Sequence, residues 1–155
     1  MSRPSTGTQN PLQAFGPLGG LEGDDISVGM PRRIMVVDDN TDSAMALALL
    51  IGTEGHEVQT ANDGRAALEL ADAFKPELIL LDISMPGLNG YEIARCLQER
   101  PWAVCLTLVA VSGWGEPEDK QRAVAAGFSC YLVKPVRSSE VMAVINGLPL
   151  PGGKD

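Results

Sequence analysis

The stretch Leu78-Ile79-Leu80-Leu81-Asp82 decides the fold of this 155-residue chain. Its four consecutive apolar side chains do not alternate with polar ones, which is typical of a strand covered on both faces, as in a parallel sheet. The run then ends in a carboxylate. Because ligands of open α/β sheets bind beyond the carboxyl ends of the strands, this aspartate is the first candidate for chemistry.

Four other segments predict further strands. Three are continuous apolar runs and the fourth alternates like an edge strand: Ile34–Val37, Leu106–Val111, Tyr131–Val133 and the alternating His56–Ala61. Segments with helical spacing or helix signals separate and follow these runs, at 41–53, 64–74, 91–101, 117–127 and 138–147. Strand and helix therefore alternate five times, which predicts a doubly wound, five-stranded parallel sheet with right-handed crossovers.

The fourth predicted helix has a weak apolar face. Its apolar residues before Phe128 are the small or β-branched Ala123, Val124, Ala125 and Ala126. Small side chains bury little area, so we expect this helix to be the least firmly held.

Reactive side chains follow four of the five predicted strands, while the edge strand ends in nothing reactive. They are Asp38 and Asp39, Asp82, Ser112 and Lys134. Each has an ordinary explanation when taken alone, since aspartate and serine favour strand-to-helix junctions for local hydrogen-bonding reasons. Their coincidence at one rim of the sheet indicates a site.

Three crowded carboxylates repel one another unless a cation lies among them. Mg²⁺ suits such a site, because it prefers oxygen ligands, keeps several waters and bridges to phosphoryl groups. An aspartate with a reference pKa of about 3.9 is ionised at neutral pH, so Asp82 can attack phosphorus without a general base. Mg²⁺ and Lys134 would then neutralise charge on the phosphoryl oxygens.

These residues resemble the receiver domains of two-component response regulators. The resemblance covers about residues 32–147 and is carried by four motifs: Asp38-Asp39, Asp82 within Leu80-Leu81-Asp82-Ile83-Ser84-Met85-Pro86-Gly87-Leu88-Asn89-Gly90, Ser112 after Val109-Ala110-Val111, and Lys134-Pro135. It implies a flavodoxin-like (βα)5 fold with strand order 2-1-3-4-5.

The resemblance also implies a role for each residue. Asp82 is the phosphoacceptor, and Asp39, Asp82 and the backbone carbonyl of Ser84 bind Mg²⁺ directly, with Asp38 helping through water. Ser112 closes on the phosphoryl group, Lys134 pairs with it, and Tyr131 is the rotating switch aromatic. The Lys134–Pro135 peptide bond is cis.

Protein partners follow from the same resemblance. A histidine kinase or histidine phosphotransfer protein supplies the phosphoryl group, and a downstream protein of unknown identity responds to the switch. We expect no enzymatic activity beyond self-phosphorylation from a phosphodonor and autodephosphorylation.

Residues 1–31 are expected to be a flexible tail, 32–147 the receiver domain and 148–155 a C-terminal tail. Trp114 is expected near Ser112, at the acidic rim.

Composition narrows the partners and the compartment. The formal net charge of -8 argues against direct binding of nucleic acid. No apolar run approaches the roughly 18 residues that a membrane span needs, so we expect a cytoplasmic protein without membrane insertion. The three cysteines, Cys96, Cys105 and Cys130, are predicted to be reduced and buried.

Two other functions remain open from the residues. One is a Mg²⁺-dependent aspartyl phosphatase. Such enzymes of the haloacid dehalogenase class need a second acid two positions after the nucleophile, where Ser84 stands here. The other is a flavodoxin-like interaction module that is never phosphorylated, although no glycine-rich nucleotide loop is present.

Overall fold

The computed structural model of the chain describes residues 31–84, 89–113 and 115–148. Five parallel strands form one sheet, in the order β2-β1-β3-β4-β5. They are β1 (Arg33–Val37), β2 (Glu57–Ala61), β3 (Leu78–Asp82), β4 (Thr107–Ser112) and β5 (Cys130–Val133). The predicted doubly wound, flavodoxin-like order 2-1-3-4-5 is therefore confirmed.

In the part of the chain that the structure describes, five α-helices and one 3₁₀ turn connect and follow the strands. They are α1 (Thr41–Gly52), α2 (Gly64–Phe74), α3 (Gly90–Gln98), the 3₁₀ turn Pro101–Cys105, α4 (Pro117–Ala125) and α5 (Ser138–Asn146). The first three helices begin at a side-chain cap, because Asn40, Asp63 and Asn89 each accept a hydrogen bond from a first-turn N–H. These caps fix where each helix leaves the rim of the sheet.

Each face of the sheet has its own apolar core. On one face α1 and α5 pack through Ala44, Ile51, Val141 and Ile145, and on the other α2, α3 and α4 pack through residues such as Ala67, Ile93 and Ala123. Every residue of β3 is buried, whereas the edge strand β2 alternates between exposed and partly buried residues up to Ala61. Continuous hydrophobicity thus marks the buried strand β3, and alternation marks the edge strand β2, as predicted. The prediction is wrong for β5, because its continuous apolar run lies at the other edge of the sheet, where Leu132 is the buried residue of the strand.

The amino edge of the sheet, where the strands begin, is held by complete ion pairs. Arg32 is almost fully buried and its Nη1 lies 3.0 Å from Glu77 Oε1, just before β3. Its Nη2 also donates to the Leu148 carbonyl at 3.4 Å. On the other side of the sheet, Asp72 accepts hydrogen bonds from Arg100 and from the Trp102 indole, both at 3.0 Å.

The prediction of three buried cysteines is wrong for Cys105. Cys96 and Cys130 are partly buried, but Cys105 is exposed. It ends the 3₁₀ turn, in which no residue is buried, so the apolar sequence Pro101–Cys105 lies on the surface.

Several expectations fall outside the described residues. They concern the tail at residues 1–30, the segment 149–155, Trp114, and residues 85–88 of the motif around Asp82. Within the described ranges, no helix is both long enough and apolar enough to cross a membrane.

Candidate functional site

Three carboxylates meet at the carboxyl edge of the sheet. Asp38 and Asp39 follow β1 and Asp82 ends β3, the neighbouring strand, and one oxygen of each lies within 4.8 Å of the others. Asp38 and Asp82 are buried, while Asp39 is exposed. Carboxylate oxygens are the ligands that Mg²⁺ prefers, so these residues fit that ion.

Lys134, just after β5, reaches across to the acids. Its Nζ lies 2.9 Å from Asp82 Oδ2 and 3.3 Å from Asp38 Oδ2. Its backbone N–H donates to the Ser112 carbonyl at 2.8 Å, which fixes the start of the side chain, and the Lys134–Pro135 bond is cis as expected. Burial alone would lower the pKa of Lys134, but the hydrogen bond and charge of Asp82, together with Asp38, raise it. The Lys134 side chain is therefore positively charged at neutral pH.

The turn after β3 stabilises the ionised form of Asp82. Its Oδ1 accepts hydrogen bonds from the Ser84 N–H at 2.8 Å and the Ser84 hydroxyl at 2.6 Å. Burial would raise the pKa of Asp82, but these bonds and the contact with Lys134 hold it below its usual value. Gly90 lets the start of α3 lie against this turn, since a Cβ there would lie 2.8 Å from the Ile83 Cα.

Asp38 behaves in the opposite way. Burial and the neighbouring charge of Asp82 raise its pKa, although the Asn40 N–H donates to its Oδ1 at 2.9 Å and Lys134 opposes the rise. The ionised form of Asp38 is thus disfavoured unless a further cation lies near it.

Ser112 and Tyr131 lie on the two strands beyond Asp82. Ser112 ends β4 and is fully buried, one residue past the partner of Asp82 in the ladder. Tyr131 pairs with Ala110, is partly buried, and packs on the core beneath α2, α3 and α4. The Lys120 ammonium of α4 lies 5.8 Å from the centre of its ring.

The tyrosine of α3 makes a second contact with α4. The Arg122 guanidinium lies 4.2 Å above the Tyr91 ring, and Tyr91 meets Phe128 edge-on at 6.4 Å. Cation–π contacts of this kind supplement an apolar face in which Ala123 is the buried residue of α4.

Comparison with known proteins identifies this arrangement. A family model described as "Response regulator receiver domain" matches residues 34–146. The chain belongs to that family. Receiver domains of two-component response regulators thus share its sequence pattern as well as its fold, and the resemblance seen in the sequence is confirmed.

Curated relatives and solved structures agree. Protein PilH of Pseudomonas aeruginosa is 32% identical over 116 residues, covering 75% of this chain and 96% of PilH. The transcriptional regulatory protein PdtaR of Mycobacterium tuberculosis is 34% identical over 122 residues, but the match covers only 58% of that protein and 78% of this chain. The structure of the chemotaxis protein CheY4 of Vibrio cholerae is 25% identical with a TM-score of 0.73, covering 77% of this chain and 100% of CheY4.

The structure brings most of the predicted residues together. Asp38, Asp39, Asp82 and Lys134 form one cluster, and Ser112 accepts the backbone hydrogen bond of Lys134. Tyr131 lies apart from the acids, against α4. The roles assigned to these side chains, and to the Ser84 carbonyl, stay predictions.

The sequence did not point to Asn62. Its side-chain Nδ2 donates to the Asp38 carbonyl at 2.8 Å. It follows β2, the strand that ends without a reactive group, and an asparagine next to the helix cap Asp63 has an ordinary local explanation.

Proposed function

We propose that this receiver domain takes a phosphoryl group onto Asp82 with the help of Mg²⁺ and thereby changes shape to control a protein partner. The observation that carries the proposal is the shared position of Lys134, whose Nζ lies 2.9 Å and 3.3 Å from two of three acids. One cation among three carboxylates leaves excess negative charge, which an added divalent ion would balance.

The chemistry starts from the ionised Asp82. A carboxylate oxygen forms the new bond to phosphorus while the bond from phosphorus to the donor nitrogen or oxygen breaks, and the donor keeps that electron pair. The Lys134 ammonium moves from the carboxylate to the transferred oxygens. Mg²⁺, held by Asp39, Asp82 and the Ser84 carbonyl with Asp38 through water, would supply positive charge for the phosphoryl oxygens.

Signalling would begin with Ser112. Its hydroxyl closes on a phosphoryl oxygen, and the displacement of the following loop opens space for Tyr131 to rotate. Support comes from the buried Ser112 at the end of β4 and from Tyr131 one strand away, beside α4. The response would thus pass from the carboxyl edge into α4.

The donor we propose is a histidine kinase or a histidine phosphotransfer protein, and the target is a further protein. We also propose the cytoplasm as the compartment, and a flexible tail at 1–31, a receiver domain at 32–147 and a short tail at 148–155 as the domain plan. The formal charge of -8 argues against direct contact with nucleic acid.

Catalysis on other substrates is not part of this proposal. A phosphatase with an aspartyl nucleophile would need an acid where Ser84 donates both its N–H and hydroxyl to Asp82 Oδ1. A serine there strengthens the anion but offers no second carboxyl group for acid–base work. Self-phosphorylation and autodephosphorylation are the only reactions proposed.

The proposal is tested by labelling with acetyl phosphate in the presence of Mg²⁺. We expect one phosphoryl group per chain by mass spectrometry, lost in Asp82→Asn and lost on adding EDTA. Asp72→Asn is the matched control, since Asp72 is an acid of the amino edge that is already paired with Arg100. Labelling of Asp82→Asn to the parent's extent, or labelling that survives EDTA, refutes the proposal.

A further inference from the structure

The amide of Asn62 holds the backbone that leads into the acidic pair. Its Nδ2 donates a hydrogen bond of 2.8 Å to the Asp38 carbonyl, and the Asp38 N–H donates to the Ala61 carbonyl at 3.1 Å. Both polar groups of the Asp38 main chain are therefore engaged by the end of β2. The side-chain amide continues a ladder that the backbone leaves when the chain turns towards α2.

Asp39 depends on this backbone because its carboxylate is not held by any other side chain that the structure describes. In residues 31–84, 89–113 and 115–148, no hydrogen bond or ion pair engages that carboxylate, although its oxygen lies within 4.8 Å of those of Asp38 and Asp82. On the other side, Asn40 caps α1 by accepting the Ser43 N–H at 3.0 Å. The direction of the Asp39 side chain is thus set by the two peptides that flank it.

We propose that Asn62 is a positioning residue for the divalent cation of the acidic cluster. By fixing the plane of the Asp38–Asp39 peptide, its amide sets where the Asp39 carboxylate stands before the ion arrives. Groups that orient metal ligands typically change metal affinity by about 10- to 100-fold when they are removed. The inference rests on the proposed function and adds a residue from the strand end that carries no reactive side chain.

The test is a Mg²⁺ titration of the full chain carrying Asn62→Ala, measured by isothermal calorimetry. We expect the Kd for Mg²⁺ to rise about tenfold, the lower limit for such groups. In labelling with acetyl phosphate, the Mg²⁺ concentration that gives half the maximal rate should rise by the same factor. The rate at saturating Mg²⁺ should stay within about twofold of the parent's, because Asp82 and Lys134 are unchanged.

Gln98→Ala is the matched control. Gln98 is also a side-chain amide that donates to a backbone carbonyl, that of Ala126 at 2.5 Å, but it ends α3 at the amino edge of the sheet. Both variants should lower the urea midpoint, whereas only Asn62→Ala should alter the affinity for Mg²⁺.

Three outcomes decide the matter. A tenfold rise in Kd for Asn62→Ala, with none for Gln98→Ala, supports the positioning role. The parent's affinity in Asn62→Ala, or a loss of rate that saturating Mg²⁺ does not restore, overturns it while leaving the proposed function intact. A parent chain that binds no Mg²⁺ overturns both.

Discussion

The two edges of the sheet both carry clusters of charge, but they balance it differently. At the amino edge the acids Glu77 and Asp72 have arginine partners at 3.0 Å, Arg32 and Arg100. At the carboxyl edge Lys134 pairs with Asp38 and Asp82, while the third carboxylate, Asp39, has no ion pair among the described residues. A pair of opposite charges links two elements and needs no further ion. Excess negative charge, in contrast, favours the binding of a cation from solution. The two edges thus differ in that one carries paired charges and the other an excess of negative charge.

The largest expected contrast lies between the two ends of β4. Ser112→Ala at the carboxyl edge should still accept a phosphoryl group, but the response of α4 to phosphorylation should disappear, because the variant lacks the hydroxyl that we propose closes on the phosphoryl oxygen. Amide hydrogen exchange of residues 117–125, before and after phosphorylation, measures this. Thr107→Ala, at the amino end of the same strand, is the control and should keep the parent's response. The same response in Ser112→Ala would remove that side chain from the switch.

Stability should fall most when the amino edge loses its balance. Glu77→Gln removes the carboxylate that pairs with Arg32, which is only 5% exposed, and should lower the free energy of unfolding by about 3 kcal/mol. Arg33→Gln is the matched control, since Arg33 lies 3.8 Å from Glu77 and is 45% exposed, and it should cost less than about 0.5 kcal/mol. Urea denaturation gives both values. Equal losses would show that burial does not decide the strength of these pairs.

The carboxyl edge should respond with the opposite sign. The folded pKa of Asp38 lies above its ordinary value, so its charged form is disfavoured by folding, and stability declines as pH rises through that interval. Asp38→Asn removes this penalty and should raise the urea midpoint at pH 7 in EDTA, while weakening the binding of Mg²⁺. A lower midpoint in EDTA would mean that the Asp38 charge is already balanced without a metal.

A smaller, pH-dependent effect is expected from His56, the chain's one histidine. Burial and the nearby charge of Arg32 lower its pKa, and its Nδ1 accepts the Arg32 N–H at 3.0 Å. The unfolded chain therefore binds the proton more readily, so stability should fall as pH drops below about 6.5. His56→Asn keeps an acceptor near that position and should flatten the dependence of the urea midpoint between pH 7 and 5.5. An unchanged slope would assign the effect to carboxylates.

Much of the fold could be predicted because its signals are local. The continuous apolar runs located β1, β3, β4 and β5, although β5 lies at an edge of the sheet. The helix predicted at 64–74 has those bounds in the structure, Gly64–Phe74. The candidate acids and Lys134 could also be found from sequence, since each directly follows or ends a strand and parallel strands present these ends at one edge. The order of the strands then brings Asp38, Asp39 and Asp82 together.

Contacts that depend on how elements lean together could not be predicted. Nothing in the run Pro101–Cys105 distinguishes a surface turn from a core segment, and Cys105 was misjudged for that reason. The hydrogen bond from Asn62 to Asp38 and the stacking of Arg122 on Tyr91 join residues 24 and 31 positions apart. Such pairs leave no periodic pattern along the chain.

The small apolar area that α4 buries affects how fast this helix can move as well as how firmly it is held. Ala123 is the buried side chain of this helix, and Val124 is 73% exposed. A helix that rests on alanine loses few dispersion contacts when it slides or turns, so the energy surface for its displacement is shallow. Interconversion between its positions should then be quick, in the microsecond-to-millisecond range of collective helix motions. Under the proposed function, the phosphoryl bond on Asp82 would set the lifetime of a signal, because α4 would respond to its formation or loss within that time.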